Sequence, residues 1–155
     1  MPEADDMVTA LYGSQYRSLV RLAVLLGGSV RVAEEITQVA FVALHAAWPR
    51  LRDHDAAVAF LHRAVVTRTR QRGQPGPPAT TKTVTTETET ARTAAAADPR
   101  IMAALRALPS RQREAVVLRL FLDLPDGQAA AAMGVSPGAL RDYAARAMTA
   151  LRPVL

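Results

Sequence analysis

Residues 126–151 read DGQAAAAMGVSPGALRDYAARAMTAL, and this pattern predicts two helices joined by a tight turn. Alanines end the first helix, and Gly134 in the turn can take the positive φ that most residues avoid. Ser136 stands where an N-cap belongs, and Pro137 occupies the first helical position, where its missing N–H costs nothing. Two helices joined through such a turn form a helix-turn-helix, whose second helix enters the major groove of DNA.

The second predicted helix has an apolar stripe and an outer face that carries arginines. The stripe recurs at helical spacing and consists of Leu140, Ala144, Ala147 and Leu151. Arg141 and Arg146 lie off this stripe. Because capped helical hairpins occur in many all-helical proteins, the local pattern favours DNA binding only slightly over a structural hairpin.

The composition restricts the class of protein. The 155 residues are half hydrophobic, carry a net charge of +5 and draw all but one of their 19 basic residues from arginine. Arginine suits two-point contacts with phosphate and guanine, which favours a nucleic-acid partner. A GC-rich genome would produce the same bias irrespective of function.

Cysteine is absent, which excludes disulfides, thiolate zinc sites and a cysteine nucleophile and fits a reducing cytosol. The N-terminus is acidic where a secretory signal would be basic, and uncharged runs fall far short of the ~20 residues that span a bilayer. We therefore expect a cytoplasmic protein that makes no contact with membranes.

The fold class predicted is all-α, with two small helical domains joined by a flexible linker. The domains cover residues 1–72 and 98–155, and the second ends in the helix-turn-helix. Residues 73–97 are rich in proline and threonine and nearly lack large apolar side chains, so they cannot bury enough surface to offset the entropy of ordering.

In the first domain we predict helices over residues 8–26, 31–48 and 56–72. Pro49 should end the second helix, and the turn formed by residues 53–55, Asp-His-Asp, should contain the N-cap of the third. The second of these helices should face the core with one apolar side. That side is formed by Ile36, Val39, Ala40, Ala43, Leu44 and Ala47.

In the second domain we predict helices over residues 100–108 and 111–122 ahead of the helix-turn-helix. Asp98 and Ser110 should act as their N-caps. The second of these helices should point five side chains inward, namely those of Ala115, Val116, Leu118, Leu120 and Phe121.

The third helix of the first domain contains no acid from Ala56 to its end but carries Arg63, Arg68, Arg70 and Arg72. Such a run can neutralise phosphates. The alternative is a solvated basic face at a helix C-terminus, where the helix dipole favours cations. The lack of acidic neighbours favours the phosphate interpretation.

Three motifs in this order resemble the ECF (extracytoplasmic-function) group of bacterial RNA polymerase sigma factors, particularly actinobacterial examples. Residues 33–44, AEEITQVAFVAL, resemble the family's AED-L-V-Q-E-x-F-x-x-A. Residues 108–124, LPSRQREAVVLRLFLDL, resemble LP-x-RQRE-x-V-x-LR-x-x-x-L. Residues 136–151, SPGALRDYAARAMTAL, resemble the recognition helix S-x-GT-V-K-S-x-x-SRA-x-x-x-L. The family's usual residues are replaced by Val39, Ala139 and Asp142.

The resemblance implies roles for particular residues. The helix that would bind the polymerase clamp contains Glu34, Glu35, Gln38 and Phe41. The helix that would melt and read the −10 element contains His62, Arg63, Thr67, Arg68 and Arg70. The positions that would read the −35 element and adjacent phosphates are Ser136, Gly138, Ala139, Arg141, Asp142 and Arg146.

These implications define two hypotheses. In the first, the chain is a sigma factor whose partners are core RNA polymerase and promoter DNA, with an anti-sigma factor as a further candidate partner. In the second, it is a degenerate sigma-like protein that binds another protein or a ligand. The first requires Arg63 and Arg141 to be accessible.

Enzymatic activity is not expected. The histidines, His45, His54 and His62, are not placed with a nucleophile or with a metal-ligand partner at helical spacing. The glycines and prolines after Arg72 do not lead into a phosphate-binding helix. We therefore expect neither a metal nor a cofactor.

Overall fold

A computed structural model of the chain describes residues 2–27, 29–51, 53–72 and 99–155. The predicted linker, 73–97, and the predicted cap Asp98 lie outside the described residues. The described part is helical, which confirms the all-α prediction. Its α-helices are α1 (Pro2–Leu25), α2 (Val30–Leu51), α3 (His54–Arg72), α4 (Pro99–Ala107), α5 (Ser110–Val116), α6 (Asp126–Met133) and α7 (Pro137–Leu151). A short π-helix, Val117–Phe121, continues α5.

Helices α1, α2 and α3 pack against one another and form the N-terminal part. Helix α1 begins six residues earlier than predicted, at Pro2 instead of Val8. The predicted cap of α3 within residues 53–55 is confirmed, and the structure assigns it to Asp53, whose Oδ2 accepts a hydrogen bond from the Ala56 N–H at 3.2 Å.

Pro49 does not end α2, which continues to Leu51, so this prediction is wrong. Proline removes the hydrogen bond to the carbonyl of His45, but both residues are exposed, and water can satisfy that carbonyl. One further expectation about α2 fails, because Val39 is 44% exposed and points outward.

The C-terminal part contains the four helices from α4 to α7 and the π-helix. Ser110 is not an N-cap, since Pro109 holds that position and no side chain caps α5. The Leu122 N–H donates to the Val117 carbonyl at 3.2 Å, which is the five-residue spacing of a π-turn. Leu120 and Phe121 lie within this wider turn, where Leu120 is 53% exposed instead of inward and Phe121 is half-buried.

The two parts of the structure lie against each other. Helix α3 packs on α6, and α1 contacts the π-helix. Buried side chains from both parts form one continuous apolar cluster. The first helix of the helix-turn-helix therefore rests directly on the arginine-bearing third helix.

None of the helices among the described residues combines the length and apolar character needed to cross a bilayer.

Candidate nucleic-acid interface

Helix α7 begins as the sequence predicts. Ser136 Oγ accepts a hydrogen bond from the Ala139 N–H at 3.1 Å, and Pro137 is the first helical residue. This cap satisfies one of the four N–H groups that the first turn of a helix leaves without an intrahelical partner. Gly134, which ends α6, has a φ of 72°. The two predicted helices and their turn are confirmed.

Helix α7 divides into a buried stripe and an exposed face. The predicted stripe is confirmed, because Leu140, Ala144, Ala147 and Leu151 are each at most 2% exposed. Arg141, Asp142 and Arg146 are exposed on the remainder of the helix. Because the stripe fixes which side of α7 faces the core, these three side chains face solvent together.

Arg141 is held only weakly by its own protein. Its side chain is 60% exposed, and its Nη1 lies 3.8 Å from Asp126 Oδ2. Asp126 also pairs with Arg119, whose Nε lies 3.0 Å from the other carboxylate oxygen. Exposed pairs of this kind contribute little, so Arg141 can exchange Asp126 for a phosphate or a base edge.

The remaining predicted positions on α7 lie in its first turn. Gly138 and Ala139 are partly exposed, and Ser136 is exposed. The Ser136 hydroxyl already accepts the Ala139 N–H, so its contribution to recognition is to shape the helix start. Backbone N–H groups at a helix N-terminus suit a phosphate oxygen.

Helix α3 presents its predicted arginines unequally. Arg63 is exposed, Thr67 and Arg68 are partly exposed, and Arg70 is 29% exposed. The Arg63 guanidinium approaches the helix-turn-helix turn, since its Nη2 lies 4.0 Å from where a Cβ on Gly134 would be. Since Arg63 and Arg141 are both exposed, the structure meets the requirement set by the first hypothesis.

His62, which neighbours these arginines in sequence, is 7% exposed. Burial lowers the pKa of His62, because desolvation disfavours the imidazolium form. This side chain therefore belongs to the packing of α3 and not to its nucleic-acid surface.

The candidate polymerase-binding helix α2 presents three of its four predicted residues. Glu34 is partly exposed, and Glu35 and Gln38 are exposed. Phe41 is 4% exposed, and its ring centroid lies 5.0 Å from that of Tyr12 in α1. Phe41 thus packs in the core against α1, and its place among the polymerase-binding residues stays a prediction.

Two apolar side chains on the outer face of α2 were not predicted as site residues. Val42 is 71% exposed, and Val39 is 44% exposed. They lie on the same helix as the exposed acids. The sequence contained one signal for this surface, because Val39 stands where the motif that it resembles has an acid. An apolar side chain at a position that is usually polar adds a contact surface.

The contacts between the two parts were not predicted. Arg70 donates two hydrogen bonds to Glu114 of α5, with Nε to Oε2 and Nη2 to Oε1 both at 2.8 Å. Glu114 is 3% exposed. The hydrogen bonds and charge of Glu114 raise the pKa of Arg70. Arg111 lies 3.5 Å from the same carboxylate. The Arg70–Glu114 ion pair has two short parallel hydrogen bonds, the geometry of a strong arginine–carboxylate contact.

Arg113 makes a second connection between the parts. Its Nη1 donates to the Leu26 carbonyl at the end of α1 at 2.8 Å. Gly27 has a φ of 115°, and a Cβ there would lie 3.0 Å from Arg113 Nη1. Glycine is therefore required at this position both for the backbone angle and for the close approach of the guanidinium.

Within the ranges that the structure describes, no group of three or more His, Cys, Asp or Glu side chains is arranged to hold a metal ion. What the described surface offers instead is exposed arginines on α3 and α7. These groups are donors suited to phosphates and base edges.

Comparison with known proteins agrees with this geometry. Residues 99–151 match the protein family described as "Sigma-70, region 4". The whole chain is similar in structure to CnrH, solved in complex with the cytosolic domain of CnrY, with a TM-score of 0.70, 21% identity, and coverage of 97% of this chain and 93% of CnrH. No curated protein matches the sequence. The chain therefore has the fold of CnrH, and its helices α4 to α7 are similar to sigma-70 region 4.

Proposed function

We propose that this chain is a sigma factor of the ECF group, which binds core RNA polymerase and directs transcription from particular promoters. The observation that carries the proposal is the capped helix α7 with Arg141 exposed on its outer face, within a segment that matches sigma-70 region 4. The actinobacterial subtype rests on the sequence motifs alone. The protein would act in the cytoplasm, without enzymatic activity of its own and without a metal or cofactor.

In this proposal the two arginine surfaces bind different parts of a promoter. Helix α7 would place Arg141 and Arg146 in the major groove of the −35 element, where each two-point contact with guanine is worth about 1–3 kcal/mol. The exposed arginines of α3 would hold the separated strands of the −10 element, since a basic surface follows single strands through their phosphates.

Core polymerase would bind the outer face of α2. This face combines the acids Glu34 and Glu35 with the exposed valines Val39 and Val42. Mixed polar and apolar surfaces of this kind are typical of transient protein interfaces. Two weakly binding parts joined in one chain gain affinity, because the second binding event becomes intramolecular.

The experiment is in vitro transcription with core polymerase from the native host on a genomic promoter library. Arg141→Glu should reduce transcription at least about tenfold, because an acid in the groove repels phosphate and loses the base contact. Arg152→Glu is the matched control, since Arg152 is exposed but lies beyond the end of α7. Absence of transcription by the unaltered chain from every promoter would refute the proposal.

A second candidate function is a sigma-like protein that binds another protein in place of promoter DNA. It is favoured by the acid Asp142 on the exposed face of α7 and by the engagement of Arg70 with Glu114. CnrH was itself solved with the cytosolic domain of another protein. For the present chain, an anti-sigma factor is a partner that we propose under the first candidate, because an anti-sigma factor binds a sigma factor. Affinity purification from the host separates the two candidates, since polymerase subunits are expected with the first and absent with the second.

A further inference from the structure

We propose that the Glu114 carboxylate occupies the place of a nucleic-acid phosphate on Arg70. This contact holds the free chain in a closed, self-inhibited state. This inference rests on the proposed function, because it takes α3 as a nucleic-acid surface. The closed state is the packed arrangement of α3 against α5 and α6, and the latch is the Arg70–Glu114 pair.

The geometry of the pair is that of phosphate recognition. Two parallel N–H donors of one guanidinium meet two oxygens of one anion, with both distances 2.8 Å. A phosphate presents the same pair of oxygens, which is why arginine serves both anions. As long as Glu114 occupies these donors, a phosphate cannot use them.

The position of Glu114 makes it an effective competitor. It is 3% exposed, and Arg111 lies 3.5 Å from its Oε1. A carboxylate so far from water needs its cationic partners, because an unpaired buried charge is costly. The pair therefore stabilises the closed state. The apolar packing between the two parts and the hydrogen bond from Arg113 to the Leu26 carbonyl stabilise it as well.

The closed state is also incompatible with the span of a promoter. Elements named for positions −10 and −35 lie about 25 base pairs apart, which is about 85 Å at 3.4 Å per base pair. In the structure, Arg63 of α3 approaches Gly134 in the turn before α7. Both surfaces can reach their elements only after the parts separate. The 26 residues between Arg72 and Pro99 can span at most about 90 Å when fully extended, which permits this separation.

Three variants of the pair test the latch and the competition with phosphate. Glu114→Gln removes the competing charge and keeps Arg70 for phosphates. Arg70→Gln breaks the same pair but also removes the phosphate contact. Arg70→Lys keeps a cation but loses the two-point contact. Asp123→Asn is the control with the same change of charge as Glu114→Gln, at an exposed residue with φ of 55°, which asparagine tolerates.

The measurements use the full chain without polymerase. Small-angle X-ray scattering reports the radius of gyration, which is about 15 Å for a compact chain of this length. We expect it to rise by several ångströms in all three variants of the pair and to stay constant in Asp123→Asn. Fluorescence anisotropy with labelled (dT)20 reports binding of single-stranded DNA.

We expect Glu114→Gln and Arg70→Lys to bind (dT)20 about tenfold more tightly than the unaltered chain. Opening raises the fraction of competent molecules, and the apparent affinity follows that fraction. Arg70→Gln should show the larger radius of gyration but not the tighter binding of (dT)20, because it also lacks the phosphate contact of Arg70. Circular dichroism identifies a variant that fails to fold, and if Glu114→Gln does so, Arg70→Lys provides the test.

Two results would overturn the inference. An unchanged radius of gyration in the variants would show that the pair is not a latch. Opening without tighter (dT)20 binding in both Glu114→Gln and Arg70→Lys would show that Glu114 does not compete with phosphate. In contrast, a chain that opens and binds (dT)20 but supports no transcription would refute the proposed function and leave the latch in place.

Discussion

Replacement of Arg113 by methionine should destabilise the whole protein, because one side chain completes the backbone hydrogen bonding of two helix ends. Its guanidinium donates to the carbonyls of Leu26, Leu105, Arg106 and Leu108, at distances between 2.7 and 3.0 Å. The first of these lies at the end of α1, and the other three lie at or just beyond the end of α4. Carbonyls at helix C-termini lack the usual intrahelical donors, so they rely on other contacts; among these four, the Leu105 carbonyl also accepts from the Leu108 N–H at 3.1 Å.

The expected loss follows from the surroundings of the four bonds. Those to Leu26, Leu105 and Leu108 are partly buried, and that to Arg106 is exposed, where water can replace the guanidinium. With about 1 kcal/mol for each partly buried bond, Arg113→Met should lower the free energy of unfolding by about 3 kcal/mol. Methionine keeps the apolar stem, so the loss reports the donors and not the packing.

Thermal and urea unfolding followed by circular dichroism measure this effect. A loss of about 3 kcal/mol corresponds to a Tm lower by about 6–12 °C for a chain of this size. Arg106→Ala is the matched control, since it removes an exposed arginine side chain but leaves the Arg106 carbonyl in place. A change below about 1 kcal/mol in Arg113→Met, or an equal loss in the control, would refute the assignment of Arg113 as the connector of the two helix ends.

Two further predictions concern the cap of α7 and the buried histidine. Ser136→Ala should lower the free energy of unfolding by about 1 kcal/mol in thermal unfolding, because the Ala139 N–H loses its acceptor. The control Ser110→Ala should change it by less than about 0.5 kcal/mol, because Ser110 caps no helix. Equal losses in the two variants would contradict this prediction. Burial lowers the pKa of His62 below its ordinary value of 6.5, so the unfolded chain binds a proton that the folded chain resists. The stabilising effect of neutral His62 should be fully present above pH 6.5 and should be lost as the pH falls toward the lower pKa of the folded state. Urea titrations at pH 7.5 and pH 5 should show a smaller drop in the free energy of unfolding for His62→Gln than for the unaltered chain.

The local features of the fold were predictable because their causes lie within a few residues. The Ser136 cap, the positive φ at Gly134 and the Asp53 cap each involve atoms no more than three or four positions apart. The buried stripe of α7 follows from helical periodicity alone. These features establish the helix-turn-helix and the side of α7 that is open to solvent.

Predictions failed where the surroundings of a residue outweighed its intrinsic preference. Pro49 remains inside α2 because the carbonyl it leaves unpaired is on the exposed side of the helix. Leu120 is exposed within a π-turn, whose wider spacing departs from α-helical periodicity and is not signalled by any residue propensity. The burial of Phe41 against Tyr12 was also not visible in the sequence, because it depends on the packing of α2 on α1.

Residue type and spacing are enough to specify the helices, the apolar faces that must be buried and the chemistry of the arginines. Which arginines are available to a partner depends instead on how the helices pack. Arg70 meets Glu114 across 44 residues, and Arg113 meets Leu26 across 87. Such pairs form only when packing of the whole chain brings distant helices together, so no local pattern encodes them.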